Sequence, residues 1–167
     1  MKKLAGMMAV FLLCVAVMIM PCGAAKMTPT MDGTLDKAQV ALGGVHPGDT
    51  MEQVMAIYGE APKKESASHG MEVHSYEEGS FIITYEWRKV KNILCLGDGN
   101  KMTPDNVMMW EDESRLAEVY GMASQVEEHE DGRIAYVYWG NVTAPFQYII
   151  FTTVNGSIAQ ISCGKAY

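Results

Sequence analysis

The sequence predicts an α+β protein of two tandem repeats, each a short helix packed on a three-stranded antiparallel sheet, merged in one domain. Three observations predict it. A helix-like segment ending in Tyr-Gly occurs twice, at Tyr58-Gly59 and Tyr120-Gly121. Three β-rich runs follow it both times in the same order. The stretch between the copies, Gly97 to Pro104, is rich in turn residues but too short for a free linker.

The first helix is read over Asp49–Gly59. Met51, Val54, Met55 and Tyr58 fall at i, i+3, i+4 and i+7, which places them on one face and the two methionines in the core. Asp49 or Thr50 supplies an N-cap, with Glu52 or Gln53 three residues on completing a capping box. Gly59 suits the left-handed residue that ends a helix, and Pro62 blocks a restart. The second helix, over Glu111–Gly121, matches Leu116 to Val54, Val119 to Ile57 and Tyr120 to Tyr58. Asp112 is its expected N-cap. Helices this short are marginal alone and must pack on something.

The strands supply that support. Met71–Tyr76 and Arg133–Tyr138 each follow a glycine at the same spacing. Phe81–Tyr85 and Tyr148–Thr152 are β-branched and aromatic, and Asn155-Gly156 makes a tight hairpin turn. The last pair, Val90–Cys95 and Ile158–Cys163, puts the two cysteines at equivalent positions. Val40–Val45 and Val107–Trp110 are read as a further short strand before each helix. The expected organisation is residues 1–25 as a signal peptide, 26–37 as a loose lead-in, 38–97 as the first repeat and 98–167 as the second.

The signal peptide rests on Lys2 and Lys3, an uncharged apolar run from Met7 to Met20, and a small-residue cleavage site with Gly23 and Ala25 at −3 and −1. The run is short for a membrane span. No stable span is expected after cleavage, and the address is extracytoplasmic, either periplasmic or secreted. With the leader gone, 11 Lys+Arg remain against 20 Asp+Glu, a formal charge of −9. Such a surface repels nucleic acid and anionic lipid. Cys14 and Cys22 leave with the leader. Cys95 and Cys163 then form a disulfide, as exported pairs do, or lie buried as free thiols. Asn141-Val142-Thr143 is a glycosylation sequon, meaningful only in a eukaryotic secretory route.

Gly48-Asp49-Thr50, Val54, Tyr58-Gly59, Pro62 and Phe81–Tyr85 in the first copy carry a family likeness. So do Leu116, Tyr120-Gly121, Tyr136–Tyr138, Tyr148–Phe151 and Asn155-Gly156 in the second. The pattern resembles the SmpA/OmlA family, the small lipoprotein of the outer-membrane β-barrel assembly machinery. In tandem it resembles the β-lactamase inhibitor protein family, whose two such modules form one long curved sheet. The resemblance implies a non-catalytic protein that works by binding another protein; it describes a fold and not a site.

The residues themselves offer no active site. CxxC, HExxH, P-loop and GxSxG patterns are missing, and no two of His46, His69, His74 and His129 are spaced i, i+4. Asp98-Gly99-Asn100 begins like a calcium loop, but Met102 stands where an oxygen ligand belongs. No catalytic, metal or cofactor residue is assigned. Strand alternation places His74 and Tyr76 on one face, with Tyr136 and Tyr138 matching them. These four are the candidate binding face, either an open aromatic surface or rings that fill the core. The expected function is a non-catalytic interaction module whose partner is another extracytoplasmic protein. The alternative is a small-ligand-binding protein with a pocket between the copies.

Overall fold

The computed structural model describes residues 35–140 and 145–166. The leader, most of the lead-in and the sequon at 141–143 lie outside the described residues. Among the described residues no helix is long and apolar enough to cross a membrane.

Two helices, α1 (Met51–Tyr58) and α2 (Ser114–Tyr120), each precede a four-stranded meander. The first meander is β1 (Lys63–Ala67), β2 (Met71–Tyr76), β3 (Phe81–Glu86) and β4 (Lys89–Leu96). The second is β5 (Gln125–Glu128), β6 (Arg133–Trp139), β7 (Phe146–Val154) and β8 (Ser157–Ala166). All eight strands form one antiparallel sheet in the order β1-β2-β3-β4-β8-β7-β6-β5.

This corrects the expected fold class of two helix-on-three-strand repeats. The described residues form a single eight-stranded sheet with two short α-helices laid on it. The two unforeseen strands are the edges. β1 reads Lys-Lys-Glu-Ser-Ala and β5 Gln-Val-Glu-Glu, mostly exposed and without apolar alternation. Charged edges of this kind keep an unpaired strand from adding to another sheet. That same lack of an apolar pattern hides them from a periodicity reading.

Other elements form as their chemistry requires. Thr50 caps α1 by accepting from the Gln53 amide, and the Gln53 side chain accepts from the Thr50 amide at 2.7 Å. Asp49 instead accepts from the His46 amide at 2.7 Å. At α2 the N-cap is Glu113 and not the expected Asp112, whose side chain accepts from the Ser114 amide at 2.9 Å. Gly59 and Gly121 end the two helices at φ 72° and 73°, where a side chain would be strained. The segments 40–45 and 107–110 are turns with isolated bridges and not strands. Leu42 bonds back to Val45 across Gly43-Gly44, and Val40, Leu42, Val45 and Val107 are fully buried.

The two halves meet at β4 and β8. Leu94 lies opposite Ser162, Ile93 opposite Cys163 and Cys95 opposite Ile161. Each half has its register shift at a matching place, Thr84/Tyr85 and Thr152/Thr153. Cys95 and Cys163 are both free and buried. Their pairing partners explain why. The cysteines are diagonal neighbours, whose spacing of about 7–8 Å lies beyond the roughly 7 Å that a disulfide tolerates between Cα atoms. Burial pushes both thiols up, so neither is an active nucleophile. Peptide mapping should therefore find Cys95 and Cys163 unbonded, alkylated only after denaturation. A Cys95–Cys163 crosslinked peptide in the native protein would overturn this register.

Candidate functional site

Strand alternation divides the sheet into two faces, and both helices sit on the same one. The core gathers Met51 and Val54 of α1, Leu116 and Tyr120 of α2, and alternate strand residues including Phe81, Ile83, Ile93, Cys95, Ile149, Phe151 and Ile161. Tyr58 packs on Tyr76 and Phe81 with ring centroids 5.4 and 5.2 Å apart. Tyr120 packs on Tyr138 and Phe151 at 5.3 and 5.4 Å. Each helix tyrosine also anchors the turn before its helix. Tyr58 donates to the Gly43 carbonyl at 2.6 Å, and the Tyr120 and Thr103 hydroxyls share a bond of 2.7 Å.

The four candidate face residues therefore belong to the helix-covered side. His74, Tyr76 and Tyr138 are buried. Tyr138 donates to the Gly121 carbonyl, and half-buried Tyr136 donates to Glu113 at 3.2 Å. Glu113 also accepts from Thr153 at 2.9 Å, so it ties α2 to β6 and β7. His74 rests edge-on against Tyr85 at 4.7 Å, with Nε2 3.4 Å from Glu72. At 1% exposure His74 has no route to a substrate; its ring is a packing element. Of the other histidines, His69 and His129 are exposed in turns and His46 is half-buried before α1.

The opposite face contributes nothing to that core cluster. Pairing carries a row across the whole sheet: Ser75, Ile82, Leu94, Ser162, Ile150, Val137 and Gln125. A second row runs Val73, Thr84, Asn92, Gly164, Tyr148 and Trp139. The centre of this face is apolar or hydroxyl-bearing, and Ile82, Thr84, Leu94, Val137, Trp139 and Ser162 in it are buried. Its charges lie toward the rim. Three pairs are matched, Lys63 with Glu65 at 2.7 Å, Lys91 with Glu86 at 2.9 Å, and Arg133 with Asp131 at 2.8 Å, while Glu127 on β5 accepts from the Gln125 side chain at 2.6 Å. Val73, Ile150 and Tyr148 are half-buried there. Trp139 stacks edge-on against Tyr148 at 5.8 Å.

A third feature stands at one end of the sheet. The β3–β4 turn is Trp87-Arg88, with φ 51° and 61°. Both residues are left-handed, which costs a residue with a Cβ about 1–2 kcal/mol. The β7–β8 turn makes the same demand and meets it with Asn155-Gly156, at φ 52° and 79°. Trp87 is 74% exposed. A turn signal built from Gly, Asn or Asp could not have found it.

No protein-family model and no curated protein matches the chain. Its fold is similar to that of a cysteine-rich secretory protein from Staphylococcus aureus subsp. aureus Mu50. The TM-score is 0.55 at 7% identity, over 80% of this chain and 48% of that one. It is also similar to an extracellular protein containing an SCP domain from Bacillus anthracis strain Ames, with TM-score 0.50 and 13% identity over 84% and 49%. The chain thus spans about half the length of these two proteins. A DUF4309 family protein from Bacillus subtilis subsp. subtilis strain 168 gives 0.47 at 14% identity, over 74% of this chain and 83% of that one. These likenesses concern fold alone. The proteins are described as secretory, extracellular or DUF4309, and not as SmpA/OmlA or β-lactamase inhibitor proteins.

Two outcomes follow from this geometry. Burial pushes Tyr58 and Tyr138 up to about 12, and Tyr85 and Tyr120 higher still. An unfolded tyrosine ionises near its ordinary value of about 10, so the folded state holds the proton longer. Stability should be unaffected by these groups below about pH 10 and fall as pH rises from there toward 12. Phenolate absorbance should then appear together with the loss of native circular dichroism; phenolate formed well before unfolding would contradict the burial. The double substitution Trp87→Asn/Arg88→Gly should raise the unfolding free energy by about 1 kcal/mol in urea, because it removes the strain and little buried area. A loss of stability would show that the tryptophan ring is part of the core.

Proposed function

We propose that this chain is an exported, non-catalytic interaction module whose partner protein docks on the helix-free face of the sheet. One observation carries the reading. Among the described residues, the core cluster under the helices draws on a single face, and the other has an uncharged, close-packed centre with its charges toward the rim. Specific protein interfaces have that anatomy, an apolar centre depleted of charge and a polar border. The occupant it suits is a protein surface presenting an uncharged, apolar protrusion. The fold-level likeness to proteins described as secretory and extracellular supports the address, as does the N-terminal leader pattern. The tandem meanders, with matching register shifts and equivalent cysteines, favour an origin by duplication.

The test uses the exported protein as crosslinked bait against an extract of envelope and secreted proteins. Tyr76 and Tyr138 are unsuitable for substitution because truncating them would damage the core. Ile150→Arg is suitable, since it sets a charge on the helix-free face at a half-buried position. The expected result is one dominant partner retained in about 1 M salt, where exposed charge pairs are screened, and lost with Ile150→Arg. Capture that disappears in salt, or that ignores Ile150→Arg, would remove this face from consideration.

A further inference from the structure

The Trp87-Arg88 turn is a built feature and not a loose loop end. Its backbone is tied down, because the Trp87 amide donates to the Gly70 carbonyl at 3.0 Å. Its ring is seated as well. A Cβ on Gly70 would lie 2.8, 2.9 and 3.1 Å from Cε3, Cζ3 and Cδ2 of Trp87. Those are three atoms of the six-membered ring at nearly equal distance, so the indole lies face-on against the glycine. One face of the ring is held by Gly70 and the other is open to solvent.

The surroundings of the ring are polar. Arg88 pairs with Glu52, Glu86 with Lys91 at 2.9 Å, and His69 stands exposed beside Gly70. The ring is thus a fixed apolar disc in a turn whose neighbouring residues are polar or charged. A hexopyranose has the complementary form, an apolar C–H face with hydroxyls around its edge.

Other occupants fit less well. A lipid surface would gain one ring of apolar area and would meet a chain of net charge −7. A protein hot spot needs packed apolar neighbours that exclude water, whereas Glu86, Arg88, Lys89 and His69 are charged or polar and mostly exposed. The equivalent turn of the second half shows that Asn-Gly serves the backbone perfectly well. Strain retained together with a seated, exposed ring points to use of that ring.

We propose that Trp87, seated on Gly70 in a turn with polar neighbours, is a stacking platform for a sugar ring of a neutral glycan. This site is separate from the sheet face, and neither reading depends on the other.

The exported protein would be titrated with cellohexaose, maltohexaose and chitohexaose, following tryptophan fluorescence and amide NMR shifts. Co-sedimentation with insoluble cellulose and chitin, and with phosphatidylglycerol vesicles, would run in parallel. The expected result is saturable binding to at least one glycan, with shifts centred on residues 69–71 and 86–89. Trp87→Asn/Arg88→Gly should weaken it by at least about tenfold while the protein melts no lower than the parent. Gly70→Ala, which unseats the ring but keeps the tryptophan, should weaken it too, and Trp110→Ala should not. Silence across the panel at about 10 mM sugar, binding indifferent to the Trp87 variant, or binding to vesicles and not glycans would each overturn the proposal. Loss of the protein partner by Ile150→Arg would leave the glycan result unchanged, so the two readings fail separately.

Discussion

The hydrogen bonding of β4 to β8 is the constraint from which the rest of the architecture follows. Each half alone would be a four-stranded meander with two open edges and a helix too short to stand by itself. Joining the halves at Leu94–Ser162 removes the two inner edges and leaves only β1 and β5 exposed. Both of those carry charge. The same register fixes the position of the cysteines, because antiparallel pairing about that point places each opposite an isoleucine and not opposite the other. It also puts α1 and α2 on one side of a common sheet, so a single core can serve both.

The tyrosines Tyr58 and Tyr120 make that core specific. A short helix on a flat apolar face has little to set its position. Each ring sits over an aromatic pair on the sheet, and each hydroxyl reaches the turn before its helix. A buried hydroxyl without a partner is costly, so the hydrogen bond selects one placement among many that would bury similar area. The two halves reach this with different residues. In strand register, Phe81 corresponds to Ile149 and Ile83 to Phe151, as their pairing with Cys95, Ile93, Cys163 and Ile161 shows. The aromatic ring has moved by one pair, and the triangle under the helix survives.

The parts of this structure legible in the sequence were those with a period. Six strands, both helices, the Thr50 cap and the glycine stops all follow from spacing, and they lie within three residues of where spacing places them. Two things were hidden for different reasons. The edge strands β1 and β5 bury almost nothing, so selection has left no apolar alternation in them. The identity of the covered face was hidden because alternation sorts residues into two sets without naming the one that meets the helix. His74, Tyr76 and Tyr138 look like a polar-tipped aromatic surface. They are core because Tyr58 and Tyr120 come down on that set, and Ile82, Leu94 and Val137 form the other face. Trp87-Arg88 escaped notice for a third reason. Sequence rules recognise a turn by residues that relieve strain, and this turn keeps residues that add it.

That last difference separates what the fold requires from what it permits. Where the two halves agree, in the glycine stops, the bridge from helix entrance to hairpin and the register shift, the feature is one the sheet needs. Where they differ, the backbone is satisfied either way and the choice reflects something else. Thr50 caps α1 with its side chain; at α2 Asp112 keeps a local bond from the Ser114 amide and Glu113 adds tertiary bonds from Tyr136 and Thr153. The hairpins differ more sharply. Asn155-Gly156 gives the strands the turn they favour, and Trp87-Arg88 gives them the same turn at a cost while presenting a ring to solvent. Similar halves in one chain thus act as controls for each other: a departure that adds strain and buries little, as Trp87-Arg88 does, has its reason outside the fold.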